Sequence, residues 1–252
     1  SLIHSIIFFK FDILLVFNNA NSLLLPIPKI FRKKVILHVD GLEWKRGKWS
    51  GFGKKFYKFA EWLSTKISID LVADSREIQK YYSKTYQKET HYIAYGAPIL
   101  SSQNPSILKK YALEPREYFL QITRFEPENN PLLTIQAFNR LNCGKKLIMV
   151  GGVKYQNTYS RQILAETNEK IIIPGFIYDK AVIRELLCNC LAYIHGNEVG
   201  GTNPALLEAL GAGCFVICRD VCFNREVLGD TGIYFNKDEM DLYAKMIWTL
   251  DN

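Results

Sequence analysis

The sequence predicts an α/β protein made of two doubly wound units, and three observations carry that prediction. Strand-like apolar runs alternate with helix-like amphipathic runs along all 252 residues, the pattern of helices packed on parallel sheets. Hydrophobic residues make up 48% of the chain, enough to bury a large core in one big domain or two ordinary ones. The stretch "GAPILSSQNPS" (96–106), rich in Gly, Pro, Ser and Asn, separates two such alternations and is the expected linker. The predicted domains are therefore 1–97 and 98–252, with a ligand site expected in the cleft they face. No solenoid period and no low-complexity tract interrupts the pattern.

In order, "FDILLVF" (11–17) and "KKVILHV" (33–39) read as buried strands. "SLLLPIPKIF" between them is read as helix or loop, because Pro26 and Pro28 limit a helix there. A basic amphipathic helix is expected over about 52–67, then a strand at "IDLVADS". Ser75 is placed to cap a helix over 76–86, and "THYIAYG" is a further short strand. In the second alternation "YFLQIT" is a strand and "NPLLTIQAFNRL" a helix with Leu133, Ala137, Phe138 and Leu141 on one face. "KKLIMVGG", "KIIIPG", "LAYIHG", "CFVICRD" and "GIYF" are strands. "YSRQILAETN", "KAVIRELLCNC", the segment after Pro204 and "KDEMDLYAKMIWTL" are helices. The first unit is expected to be truncated: its first strand reads as the middle of a sheet, with no strand and glycine-rich turn ahead of it.

The six cysteines lie mostly in apolar runs, with no His pair at ligand spacing, so core thiols of a cytosolic protein are favoured over zinc or disulfides. No metal is expected. The longest apolar stretch, "SIIFFKFDILLVF", is broken by Lys10 and Asp12 and falls short of the ~20 residues a spanning helix needs. Net charge is +7 and is concentrated early. "KRGKWSGFGKKFYKF" (45–59) interleaves Lys45, Arg46, Lys48, Lys54, Lys55 and Lys58 with Trp49, Phe52, Phe56, Tyr57 and Phe59, flanked by Trp44 and Trp62. That mixture suits an anionic membrane surface. A solvated helix whose aromatics pack inward is the plain alternative. Single-stranded nucleic acid could also use such a stretch, but nothing outside it supports that partner, and none is expected.

The segment "HGNEVGGTNPALLEAL" (195–210) stands where a strand ends and a helix begins. Gly200 and Gly201 allow a tight turn and close approach of a ligand. Thr202 and Asn203 offer cap-like side chains, and Pro204 suits the first helical turn. Free N–H groups and the positive helix end then make an anion site. Glu208, one turn further in, is within reach of a hydroxylated group on that anion, such as a ribose diol. A capped helix with a surface glutamate is the structural alternative. Arg124 ends the first strand of the same unit, and Gly151 and Gly152 end the next, so all are expected at one sheet edge. There Arg124 could stabilise charge on a leaving diphosphate, or be a surface arginine paired with Glu126.

Four stretches in order, "TRFEPENN", "KLIMVGG", "IIIPGFIYDKAVIRELLCNCLAYIHG" and "EVGGTNPALLEALGAGCFVICRD", followed by "NREVLGDTGIYF", resemble the nucleotide-binding domain of the retaining GT-B glycosyltransferases of family 4. With "VDGLEWKRGKWSGFGKKFYKFAEW" they are most similar to bacterial rhamnosyltransferases of capsule, O-antigen and cell-wall polysaccharide synthesis. The resemblance implies a GT-B fold, a dTDP-rhamnose donor, a polyprenyl-diphosphate-linked saccharide acceptor, and a place on the inner face of the cell membrane. It implies that Glu208 holds the ribose and Glu198 lies by the donor sugar, although nine residues separate them here where the family commonly has seven. Gly200, Gly201, Thr202 and Asn203 would form the diphosphate loop, with Arg124 and Gly152 beside it. The lysine that usually follows Arg124 is Asn129 here. Phe176 and Tyr178 fall in the family's base-binding loop. Asp40 stands where many relatives have a histidine, which would put it beside the reacting sugar, unless it serves only the Asp-Gly turn. No Asp-x-Asp pair and no close carboxylate pair for hydrolysis is present, which fits metal-independent transfer with retention. The rival expectations are a truncated nucleotide-sugar-binding protein without catalysis, and a GT-B epimerase or phosphorylase.

Overall fold

The computed structural model describes residues 2–67, 69–153, 155 and 157–252. The chain divides into one unit of Ser1–Tyr95 with Val199–Thr202, and another of Gly96–Glu198 with Asn203–Asn252.

The first unit holds α1 (Leu2–Phe8), β1 (Ile13–Phe17), a short 3-10 helix (Asn19–Leu24), α2 (Pro26–Ile30), β2 (Lys34–His38), α3 (Gly51–Lys66), β3 (Asp70–Ala73), α4 (Arg76–Tyr86) and β4 (His91–Tyr92). Its strands form one parallel sheet in the order β1-β2-β3-β4. Of the two readings open for "SLLLPIPKIF", helix holds for a short stretch, with Pro26 as its first residue and Pro28 in its first turn, where no intrahelical N–H is required. The strand expected over "THYIAYG" shrinks to His91–Tyr92. Ser75 caps α4, its hydroxyl accepting from the Glu77 and Ile78 N–H groups. The interior centres on Leu37, Val39, Leu71, Ala73, Ile78 and Tyr82. Buried Asn19 donates to the Val39 carbonyl and the Tyr82 hydroxyl. Glu61 of α3 is also buried and accepts from the hydroxyls of Tyr81 and Tyr86, at 2.7 and 2.6 Å. Burial raises its pKa, and these hydrogen bonds offset only part of that. β1 behaves differently from its neighbours. Ile13, Leu15 and Phe17 alternate on one face of this edge strand and are exposed.

The second unit holds β5 (Tyr118–Arg124), α5 (Pro131–Asn139), β6 (Lys146–Gly152), α6 (Thr158–Ala165), β7 (Ile171–Gly175), α7 (Lys180–Asn189), β8 (Ala192–His195), α8 (Pro204–Gly211), β9 (Val216–Arg219), α9 (Cys222–Leu228), β10 (Ile233–Phe235) and α10 (Glu239–Asp251). All six strands are parallel, in the order β10-β9-β8-β5-β6-β7. Because successive side chains point to opposite faces, the strands feed two cores. Tyr118, Leu120, Ile148 and Tyr193 pack with Leu186, Leu206 and Leu228 of α7, α8 and α9. Phe119, Leu147, Met149 and Ile194 pack with Ile135, Ile163 and Leu242 of α5, α6 and α10. This is the sandwich a doubly wound sheet requires.

The segment read as a linker is fixed to this second unit. Fully buried Glu185 of α7 accepts from the Ser102 hydroxyl and from the N–H groups of Gln103 and Asn104, at 2.6, 2.8 and 3.0 Å. Burial opposes its ionisation, but these donors and Arg184 bring its pKa down to about 2. Of the cysteines, Cys190, Cys214 and Cys218 are buried; Cys222, read as core from its apolar run, is exposed at the start of α9. It is the first residue of α9, and that helix packs into the core through its last residue, Leu228. No described helix is long and apolar enough to cross a membrane.

Candidate functional site

The second unit changes winding direction between β5 and β8. From β5 the order runs through β6 to β7 on one side and through β8 and β9 to β10 on the other. Open α/β sheets bind ligands outside the carboxyl ends of their strands at such a switch point. The residues ending β5, β6, β7, β8 and β9 are Arg124, Gly152, Gly175, His195 and Arg219, so this edge gathers most of the residues read from sequence.

Arg124 is exposed at the end of β5, in register with Gly152. Its guanidinium has no ion-pair partner among the described residues, and Glu126 contributes only its N–H, donated to the Arg124 carbonyl. Asn129, at the position where a second cation was looked for, is buried and donates to that same carbonyl at 3.0 Å. It braces the arginine's backbone and supplies no charge. At the end of β6, Gly151 has φ +130°, and a Cβ there would lie 1.8 Å from the Thr123 carbonyl oxygen. Only glycine admits that approach.

Between the ends of β6 and β7 lies a cavity of about 360 Å³, lined by Phe125, Gly152, Ser160, Pro174, Gly175 and Phe176 among others. Phe176 stacks on Tyr178 with centroids 6.3 Å apart, and both rings are exposed. Its volume is at the lower end for small-molecule sites, which run from about 300 Å³ upward.

Asn203 caps α8 by accepting from the Ala205 N–H at 3.0 Å. Thr202 does not share in the cap as expected; its hydroxyl donates to the Asp74 carbonyl at 2.9 Å, because Val199–Thr202 packs with the first unit. The diphosphate loop read from sequence is thus split: Gly200, Gly201 and Thr202 are counted with one unit and Asn203 with the other. Glu208, exposed on α8, has no side-chain partner among the described residues.

Glu198 is engaged on both oxygens. One accepts from Asn130 Nδ2 and Arg219 Nε, at 3.0 and 3.1 Å, and the other faces Lys237 Nζ at 3.2 Å. Burial pushes its pKa up, but these donors and the Lys237 charge prevail and lower it. Its N–H donates to the carbonyl of Glu128, a buried residue whose two carboxylate oxygens have no hydrogen-bond partner among the described residues. His195 is buried too, and burial lowers its pKa to about 3. It is neutral at physiological pH and has no hydrogen-bonding partner on either ring nitrogen among the described residues. Sequence reading missed Asn130, Arg219 and Lys237. The available signal was Arg219 in "CRD", the last residue of a predicted strand at the ligand edge.

In the first unit, Asp40 follows β2 with φ 61°. Its carboxylate accepts from the Gly41 N–H at 2.9 Å and from Asn18 Nδ2 at 3.2 Å, and its own N–H donates to His38 Nδ1. With Nδ1 accepting, the neutral His38 ring carries its proton on Nε2, 3.4 Å from the Tyr95 hydroxyl. Burial lowers the His38 pKa, and the Asp40 charge opposes this.

Comparison with known families settles what this edge belongs to. The family model described as "Glycosyl transferases group 1" matches residues 103–252. The chain belongs to that family. A second model, a domain of unknown function named DUF1972, matches residues 23–98 of this family member. A curated relative from Campylobacter jejuni, N-acetylgalactosamine-N,N'-diacetylbacillosaminyl-diphospho-undecaprenol 4-alpha-N-acetylgalactosaminyltransferase, is 28% identical over 142 residues. That alignment takes in 55% of this chain and 37% of the relative, so it spans well under half of the relative's length. Sucrose-phosphate synthase from Thermosynechococcus elongatus matches the whole chain, and 67% of its own, at TM-score 0.81 and 13% identity. Anabaena HepE, solved with UDP and glucose, gives TM-score 0.82 at 14% identity over 96% of this chain and 69% of its own. This likeness establishes the fold: two Rossmann-like units of GT-B type.

Proposed function

We propose that this group 1 family member transfers a sugar from a nucleotide-sugar donor to a lipid-linked saccharide acceptor in surface-polysaccharide synthesis. The observation that carries the reading is the placement along one sheet edge of Arg124 and Glu208, neither with a side-chain partner among the described residues, a capped helix start at Asn203 and, next to β5, a glycine-walled cavity between the ends of β6 and β7. An arginine and a helix N-terminus are complementary to a diphosphate. A free carboxylate one turn along the helix suits a ribose diol, and the cavity with Phe176 suits the base. In the transfer, the bond between the sugar's anomeric carbon and the diphosphate oxygen breaks. The acceptor hydroxyl oxygen forms the new bond on the same face, with retention, and its proton passes to the departing diphosphate. Arg124 and the helix start carry the leaving charge without a metal. Glu198, held ionised, is the carboxylate assigned to the donor sugar, and Asp40 is assigned a place beside the reacting sugar.

Rhamnose from dTDP-rhamnose is the donor we assign, on the resemblance of the motifs. The Campylobacter relative is named for a diphospho-undecaprenol acceptor and for N-acetylgalactosamine transfer; we take from it the acceptor class and not the sugar. We also assign an anionic membrane surface as partner, on the inner face of the cell membrane. Phe52, Lys55, Phe59 and Trp62 recur at helical spacing along α3, and Phe52 is 83% exposed. Lys45, Lys54 and Lys58 crowd the Trp44 ring at 5.5, 5.7 and 4.4 Å from its centroid.

One observation favours a second reading, a nucleotide-sugar binder without transfer: both Glu198 oxygens are already occupied by Asn130, Arg219 and Lys237. The deciding experiment incubates the protein with a panel of nucleotide sugars and lipid-diphosphate acceptors and follows the lipid product. A sugar added to the lipid, greatest with dTDP-rhamnose, is expected. Nucleotide-sugar binding with no transfer from any donor would establish the second reading instead.

A further inference from the structure

The carboxyl edge of the first sheet carries a cluster of polar and aromatic side chains, of which only Asp40 has a role in the proposed transfer. Asn18 follows β1, His38 ends β2, Asp40 follows it, and Tyr95 lies just beyond β4. The fold brings them around one imidazole. The Asp40 N–H donates to His38 Nδ1 at 3.2 Å, and the Tyr95 hydroxyl lies 3.4 Å from Nε2. With Nδ1 accepting, neutral His38 donates from Nε2, so the Tyr95 oxygen is the acceptor of that bond. The tyrosine's own proton is then unspent, since its hydroxyl has no other partner among the described residues. Burial and the charges of Asp74 and Asp40 hold the Tyr95 pKa above its ordinary value, which keeps that proton in place to be donated. Asp40 has capacity to accept. Its two oxygens take one bond each, from the Gly41 N–H and Asn18 Nδ2, about half of what a carboxylate can receive.

Aromatic surface adjoins these groups. The rings of Phe17 and Tyr95 both contact His38, with centroids 5.4 and 5.7 Å from its own. His38 is buried, whereas Phe17 is 54% and Tyr95 39% exposed. An exposed phenyl ring, a hydroxyl with a proton to give and a carboxylate with lone pairs to spare set three requirements for a ligand. It must offer C–H surface, an acceptor oxygen and hydroxyl protons, and a neutral sugar ring offers all three. A phosphate is repelled by Asp40 and Asp74, and an acyl chain would leave the polar groups unpaired.

We propose, on the reading that the acceptor is a saccharide, that Phe17, Asp40 and Tyr95 bind one of its neutral sugar rings, with His38 as the positioning residue that leaves the Tyr95 proton for the ligand. Magnetic-resonance titration of the full chain with methyl α-galactopyranoside, methyl α-glucopyranoside and methyl N-acetyl-β-glucosaminide tests it. At least one glycoside is expected to shift the His38 Nε2 signal of histidine-labelled protein. Tyr95→Phe should weaken that glycoside about fivefold, the value of one hydrogen bond. Phe17→Ser should weaken it by as much, while Phe17→Trp, which keeps an aromatic face, and the control Tyr92→Phe should bind as wild type does. His38→Phe should weaken binding as Tyr95→Phe does, and the two together no further, because both remove the same bond to the ligand. If one variant misfolds, the others still decide. The proposal is overturned if no glycoside shifts the His38 signal, or if folded Tyr95→Phe or Phe17→Ser binds as tightly as wild type. Glycoside binding that is lost in Tyr95→Phe, in a protein that transfers sugar from no donor, supports this site and defeats only the transferase reading.

Discussion

Residues 1–95 carry sixteen lysines and arginines against eight acidic residues, whereas residues 96–252 carry sixteen against seventeen. Apolar surface divides in the same way. In the first unit Ile13, Leu15, Phe17, Ile30, Phe31, Phe52, Phe59 and Trp62 are exposed, while both faces of the second unit's sheet are filled by helix side chains. The second unit spends its acids internally: Glu185 holds the linker segment, and Glu198 is neutralised by Arg219 and Lys237. The difference teaches that one chain can keep two unlike surfaces. A charge-balanced unit with both sheet faces covered carries the proposed nucleotide edge, and a cationic unit with exposed apolar side chains carries the features on which the proposed membrane contact rests.

The comparison breaks most visibly if the second unit's internal charges do not matter. Glu185→Gln should destabilise that unit by about 3 kcal/mol, since a buried, multiply bonded carboxylate is replaced by a poorer acceptor; urea unfolding checks it. Its pH dependence has a definite sign. The folded pKa, about 2, lies below the ordinary 4.5, so the stabilisation is complete above pH 4.5 and is lost as pH falls toward 2. The variant's stability should be flatter over that window. His195 acts further up the scale. Its folded pKa of about 3 lies below 6.5, so its neutral burial costs stability progressively as pH drops below 6.5.

Arg219→Ala should cost about 1–2 kcal/mol by leaving half-buried Glu198 with weaker compensation. It should also raise the Glu198 pKa, which carboxyl-labelled NMR titration would show. Substituting Lys54, Lys55 and Lys58 with Gln should lower partitioning onto anionic vesicles about tenfold at low salt and less at high salt. Stability should move by less than about 0.5 kcal/mol. Unchanged partitioning would return α3 to a merely solvated helix. The smallest effect is expected from Lys237→Ala, where an exposed partner contributes about 0.5 kcal/mol or less, again read by urea unfolding.

The alternation of apolar and amphipathic runs was enough to read nearly every strand and helix, because period and length are local properties. Ser75 and Asn203 were readable as caps for the same reason. Pro26 and Pro28 left helix and loop both open because their effect depends on position within a helix, and the structure shows a short helix of five residues there. "THYIAYG" looked like a strand, yet only His91–Tyr92 pairs with β3. Arg124, Gly152 and Glu208 were legible as strand-end and helix-start residues. The surroundings of Glu198 were not, since Arg219, Lys237 and Asn130 lie 21, 39 and 68 positions away. Nor was the diversion of Thr202 to the Asp74 carbonyl, 128 positions distant. Sheet order brings such partners together, and no short motif encodes sheet order.

Nucleotide recognition at the β5–β8 switch point is the central claim, and calorimetric titration of dTDP into wild type and Glu208→Ala tests it most directly. Glu208 is exposed and bonds to no described side chain, so its removal should leave melting temperature unchanged. The affinity should fall about tenfold or more, the low end of the value of one hydrogen bond to a charged acceptor. Equal affinity in the two proteins would contradict the assignment of Glu208 to the ribose.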